Sequence, residues 1–177
     1  MKNNYKTIII IALLIGLSSC VYVIYSGSTT KTAFVKNSEL YSEFELKKEL
    51  EAKLTTVKNQ RKTILDSLLL QLKVKSTQLG SLKNPDPDAI NKFEMKKEEY
   101  LIKKNEFDED TKQLAEQYSQ QIWKQINHYV SDYGAKEDYS YIYGALGDGA
   151  LMYAKDNYDI TKKLIEYMNV NYKGEKK

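Results

Sequence analysis

The sequence predicts an α+β fold in which a long helical hairpin projects from a small β-rich body. Three observations predict it. Two charged amphipathic stretches, Ser38 to Leu79 and Asp88 to Tyr133, fill the middle of the chain of 177 residues. Between them lies the breaker Gly80-Ser-Leu-Lys-Asn-Pro-Asp-Pro87, which holds both prolines of the protein. Beyond them the texture changes to short, tyrosine-rich runs with β propensity. Proline lacks a backbone donor and its ring clashes with the preceding turn, so no helix passes Pro85 and Pro87. Two helices of about forty residues at ~1.5 Å rise fold back there into a rod on the order of 60 Å long.

From the N-terminus, Lys2 and Lys6 precede an uncharged apolar run from Ile8 to Tyr25. That run just reaches the length a bilayer requires, roughly 17–25 residues. The flanking lysines hold the N-terminal end in the cytoplasm, so the remaining chain is expected to be exported. Residues 1–25 therefore form a signal or membrane anchor with three alternative fates. An uncleaved anchor at residues 8–25 is the preferred one, because apolarity continues past Cys20. Lipidation at Cys20 is the second, since Leu17-Ser-Ser-Cys20 resembles a lipobox. A cleaved, soluble form is the third. Residues 26–31, Ser-Gly-Ser-Thr-Thr-Lys, are a flexible linker.

The body is expected to comprise residues 32–37 and 134–177, and the coiled-coil hairpin residues 38–133, with its tip at 80–88. Thr32 to Val35 reads as a strand, and Asn37 or Ser38 as the cap of the first long helix. The first helix carries a seam at Leu50, Leu54, Val57, Arg61, Ile64 and Leu68, shifting one step to Leu72 and Leu79. The second carries Phe93, Tyr100, Phe107 and Leu114 every seven residues, with Lys97, Lys104, Thr111 and Tyr118 between them. Leu65, Leu68, Leu69 and Leu72 form one stripe, read as helix–helix core. Asp138 to Tyr143 is a second strand, Gly144 to Gly149 a turn, and Ala150 to Ala154 a third strand. Thr161 caps a last helix that runs through Met168, with Ile160 and Ile165 placed as a hydrophobic staple about that cap. Three short strands and one helix are a marginal core with open sheet edges, so several copies are expected to close together at the base.

The layout, together with Tyr133-Gly-Ala-Lys-Glu-Asp-Tyr139, Ala150-Leu-Met-Tyr153 and Asp159-Ile-Thr161, resembles the Skp (OmpH) family of periplasmic chaperones from about Thr32 to Tyr172. The resemblance implies a homotrimer whose subunits close a small β-barrel, with three tentacles enclosing a cavity. Phe34, Tyr139, Tyr141, Tyr143, Leu151 and Tyr153 are then the trimer body. It further implies an ATP-independent holdase that keeps unfolded outer-membrane proteins soluble in the periplasm. The chain departs from the family pattern in its apparently retained anchor, which would tether it to the inner membrane.

Charge agrees with that reading. The tip half, Val57 to Lys104, carries 11 basic and 6 acidic residues, net +5, while the base half of the hairpin carries 5 and 10, net −5. Lys73, Lys75, Lys83, Lys92, Lys96 and Lys97 are the expected client contacts, since a positive tip steers acidic unfolded chains or anionic lipid. The alternative, a structural envelope spacer docking end-on, predicts apolar residues at the tip. A total charge of +3 is too weak to argue for nucleic acid, and the expected export removes most of it from reach. His128 is the sole histidine and is expected to pack against the base. No catalytic triad, phosphate loop or metal spacing occurs, so the sequence predicts no enzyme, cofactor or metal.

Overall fold

The computed structural model describes residues 9, 15–19, 30–146 and 151–175. From residue 30 the order is β1 (Thr32–Lys36), α1 (Asn37–Glu43), α2 (Glu45–Gly80), α3 (Pro87–Lys136), β2 (Tyr141–Ala145), a 3₁₀ turn (Asp156–Tyr158) and α4 (Thr161–Glu175). At ~1.5 Å per residue, α2 is about 54 Å long and α3 about 75 Å. The breaker acts as its prolines dictate. The α2 helix ends at Gly80, and Pro87 takes the first helical position of α3. The Asp86 side chain caps α3 by accepting from the Asp88 amide at 3.2 Å.

The expected first helix is in fact two. Phe44 adopts an extended conformation, ψ 128°, between α1 and α2. Its ring is fully buried and meets Tyr129 and Tyr172 edge-on at centroid distances of 6.0 and 5.4 Å. The backbone groups freed by the break go to one side chain. Asn169 accepts from the Glu45 amide at 2.9 Å and donates to the Glu43 carbonyl at 3.1 Å. Neither Asn37 nor Ser38 caps α1, because β1 runs directly into it. The Lys36 amide instead donates to the Thr161 hydroxyl at 3.0 Å.

Along the hairpin Leu50 and Leu72 are buried, and Leu54, Val57, Arg61, Leu65, Leu68 and Leu79 are half-buried. Ile64, expected in this seam, is 47% exposed, and Leu65 replaces it. The steps Val57–Arg61–Leu65 are both of four residues, closer to the 3.6 period of a straight helix than to a supercoiled heptad. Opposite them Phe93, Tyr100, Phe107, Thr111, Leu114 and Tyr118 are half-buried. Lys97 and Lys104 lie in solvent instead of the seam, as their charge favours.

The core sits where both arm helices enter the body. Ala33 and Val35 of β1, Leu40, Phe44, Ile122, Ile126, Tyr129, Leu164 and Met168 are closed there. β1 and β2 pair in parallel, from Thr32 opposite Tyr141 to Lys36 opposite Ala145. A parallel pair needs a long crossover, and the hairpin supplies it. Two corrections follow. Asp138 is not strand; it ends α3 in a left-handed conformation, φ 57°, and the strand instead includes Gly144 and Ala145. Residues 151–154 form no strand, because the far edge of β1 is met by an isolated bridge from Asp159 at Phe34. Among the described residues the sheet therefore has two strands.

Candidate functional site

Two surfaces carry the sequence-predicted residues, one on the arm and one on the body. On the arm, Lys73, Lys75, Lys83, Lys92, Lys96 and Lys97 are all exposed. Lys97 pairs with Glu94 at 3.2 Å, one turn away. The other five have no ion pair among the described residues. Lys75 and Lys92 line a concavity of about 280 Å³ at the tip, together with Asp86, Leu79, Leu82 and Ala89. Lys73 borders a shallower groove of about 540 Å³ with Val74, Thr77 and Ser81.

Between these lysines the arm exposes aliphatic surface. Leu69, Leu70, Val74, Leu82, Ile90, Met95, Leu101 and Ile102 are each 40 to 70% exposed. The leucine stripe read as core is thus divided: Leu65, Leu68 and Leu72 turn inward, while Leu69 faces water beside the exposed Leu70. A narrow seam consumes only one edge of an all-round apolar turn.

Below this loose region the two helices are pinned. The Arg61 guanidinium donates to the Phe107 carbonyl at 3.1 Å and to the Thr111 hydroxyl, reaches Asp110 at 3.4 Å, and lies 5.3 Å from the Phe107 ring centre. Arginine has five donors in a fixed fork, so one side chain ties α2 to both backbone and side chains of α3. The sequence placed Arg61 in the seam but offered no sign of these partners, which lie some fifty positions away.

On the body, the structure brings Phe34, Tyr143, Leu151 and Tyr153 around one mainly apolar groove of about 300 Å³, together with Tyr158. Tyr153 is 81% exposed at its rim and the neighbouring Met152 is 87% exposed. Tyr141 is exposed and stacks on Tyr143 at 6.1 Å. Tyr139 does not join them. It stacks on Tyr133 at 6.2 Å, beneath the Lys31 ammonium, and belongs to the interior of its own chain.

The Asp159-Ile-Thr161 step is the clasp that holds the groove's floor. Asp159 accepts from the Thr161 amide at 2.8 Å and from its hydroxyl, and pairs with the Lys36 ammonium at 3.3 Å. The Ile160 amide donates to the Phe34 carbonyl at 3.1 Å. Burial, the largest influence on Asp159, would raise its pKa, but the two Thr161 donors and Lys36 together outweigh it and hold the carboxyl below the usual range. Glu39 and Asp159 in turn hold the Lys36 pKa above its ordinary value.

His128 is exposed beside Tyr129 and does not pack into the base, because Tyr129 takes the inward position on that turn of α3. Among the described residues no group of three or more His, Cys, Asp or Glu side chains converges to hold a metal ion. Among them, too, no helix is long and apolar enough to cross a membrane. The expected anchor at 8–25 falls largely outside the described residues, and Cys20 wholly so.

Comparison with known proteins places this architecture. The chain is similar in structure to a Caulobacter crescentus protein described as a candidate outer membrane chaperone (OmpH-like), with a TM-score of 0.61 and 14% identity, covering 81% of this chain and 86% of the other. At that identity the likeness speaks for the fold. No curated protein matches the chain in sequence. The family model of OmpH-like outer membrane proteins matches residues 31–168, from the start of β1 into α4. The chain belongs to the OmpH-like outer membrane protein family.

Proposed function

We propose that this protein is an ATP-independent holdase chaperone of the periplasm, which binds unfolded outer-membrane proteins between the arms of a homotrimer. The observation that carries the reading is the tip half of the arm. There, unpaired lysines alternate with exposed aliphatic side chains on both helices. An unfolded barrel strand alternates apolar and polar residues, so it presents both kinds of group to such a surface. The lysines raise the encounter rate with acidic chains by long-range attraction, and the aliphatic patches hold them by burying apolar area. Neither step requires a nucleotide. The family membership and the similar fold of an OmpH-like outer membrane chaperone support the same role.

The groove of Phe34, Tyr143, Leu151 and Tyr153, together with the edge of β2 left unpaired among the described residues, is in this reading the surface on which neighbouring subunits close the barrel. Residues 8–25 tether the assembly to the inner membrane, with its arms free.

Dilution of a urea-denatured outer-membrane barrel into buffer tests the proposal. The protein suppresses light scattering at stoichiometric amounts without ATP. Replacing Lys73, Lys75, Lys83, Lys92 and Lys96 by Gln slows capture roughly tenfold at low salt, and the difference fades by 0.5 M salt as screening removes the steering. Absence of suppression by the parent protein overturns the reading.

A further inference from the structure

The second half of α4 adds Tyr172 to the core and otherwise turns towards the base of the arm. Thr161, Leu164 and Met168 are buried in the core. From Asn169 onward the contacts turn to the base of α2. Asn169 bonds both backbone ends of the break at Phe44, at 2.9 and 3.1 Å. The Tyr172 ring lies edge-on to Phe44, and its hydroxyl donates to Glu49 at 3.0 Å. The Lys173 ammonium approaches Glu45 at 3.8 Å. Positions 169, 172 and 173 share one face of a helix, spaced three and four residues apart. All of these contacts fall on residues 43–49, the break and the first turn of α2. The family match ends at residue 168, before the first of them.

The two arm helices are attached to the body in different ways. α3 passes unbroken from the tip into the core, where Ile122, Ile126, Tyr129 and Tyr133 fix it. α2 also enters the core, with Leu46 and Leu50, but it is broken from α1 by the extended Phe44, and a break of this kind absorbs backbone rotation where a continuous helix cannot. Between the core and the Arg61 pin, only the half-buried Leu54 and Val57 join α2 to α3.

We infer that residues 169–175 of α4 are a latch that sets the pitch of α2 against the body, and so governs how far the arm splays. With the latch closed, Asn169 supplies the hydrogen bonds that the break removes, and Tyr172 holds Phe44 in its socket. With it open, α2 pivots at Phe44 while α3 keeps its place. The functional consequence, a variable opening of the space between arms, rests on the holdase reading; the mechanical claim does not.

The double variant Asn169→Ala/Tyr172→Phe tests it in the full chain, with Cys20→Ser as background. It removes the latch's hydrogen bonds to α2, leaving only the exposed Lys173–Glu45 pair, while keeping the buried aromatic ring, so the body remains folded. Amides of Lys47 to Leu50 are expected to exchange with deuterium at least tenfold faster, and those of Ile122 to Tyr133 at the parent rate. Spin labels at Gln71→Cys and Lys163→Cys, with labelled protein diluted into unlabelled, are expected to show a distance distribution at least twice as broad. Equal acceleration in α2 and α3 overturns the latch, since it shows general destabilisation. An unchanged distance distribution also overturns it. These readouts are independent of client binding, so failure of the holdase assay leaves them interpretable.

Discussion

Removal of the Asp159 carboxylate is the sharpest test of how the body is held. In Asp159→Ala the Thr161 amide and hydroxyl lose their shared acceptor at a residue only 1% exposed. A hydrogen bond to a charged group contributes about 1.5–3 kcal/mol net, and a buried donor left without a partner costs about 1–3 kcal/mol. The two descriptions overlap, so the cost is about 3 kcal/mol. For a chain of this size about 1 kcal/mol lowers Tm by roughly 2–4 °C, so the variant should melt about 6–12 °C below the parent. Asp159→Asn keeps an acceptor oxygen for Thr161 and should lose only about a third as much.

The pH dependence fixes the mechanism. The folded pKa of Asp159 lies below its ordinary value of 3.8, so its stabilisation is present above that value and is lost as pH falls through the folded pKa. The gap between parent and Asp159→Asn should therefore be constant from pH 5 to 8 and close as pH falls below about 3.8. Circular-dichroism melts at one fixed protein concentration measure both, since self-association also moves Tm. A Tm of Asp159→Ala within about 2 °C of the parent, or a gap that persists unchanged at pH 2.5, refutes the clasp.

Two further perturbations follow from the geometry. Gly144→Ala puts a methyl group 2.7 Å from both terminal atoms of Asn37, which should cost about 1 kcal/mol. In an Asn37→Ala background that cost should vanish, a coupling readable from a double-mutant cycle of urea midpoints. Arg61→Leu unpins the arm at its middle, and loss of about 1.4 kcal/mol of local stability should accelerate amide exchange in α2 beyond Lys62 about tenfold. The same variant should leave exchange in the body untouched.

What the sequence made legible was the part of the fold that local physics decides. Pro85 and Pro87 put the turn where the structure has it, and period-seven apolar residues from Phe93 to Leu114 marked the inner face of α3. The Thr32 strand was likewise a local signal, whereas at the last helix Thr161, read as the cap, is the first helical residue and Asp159 accepts from its amide. The break at Phe44 was not legible. Asn37 to Leu50 reads as continuous amphipathic helix, and the side chain that stabilises its interruption, Asn169, comes from 124 positions away. Ile64 and Leu65 were equivalent by composition, and the packing of α3 chose between them. The run Leu151 to Ala154 has strand chemistry but finds no row of backbone partners within one chain, and propensity in strands means little without a neighbour. For the sites, exposure of the tip lysines was readable from their charge. The groove that unites Phe34 with Tyr153 was not, since the fold alone brings together residues more than a hundred positions apart.

The parallel pairing of β1 with β2 has a consequence for the order of folding. Thr32 and its partner Tyr141 are separated by 109 positions, 141 less 32. At a synthesis rate of roughly 5–20 residues per second, the first strand therefore waits about 5–20 s for the second to be made. Joining two strands across so long a flexible loop would be slow, because closure entropy precedes any reward. The hairpin changes that. Its contacts are local along two helices, so it zips before the sheet exists and delivers β1 and β2 side by side at its open end. The arm is in this sense the template on which its own base is assembled, and damage to the tip turn should delay the formation of a sheet some 50 Å away.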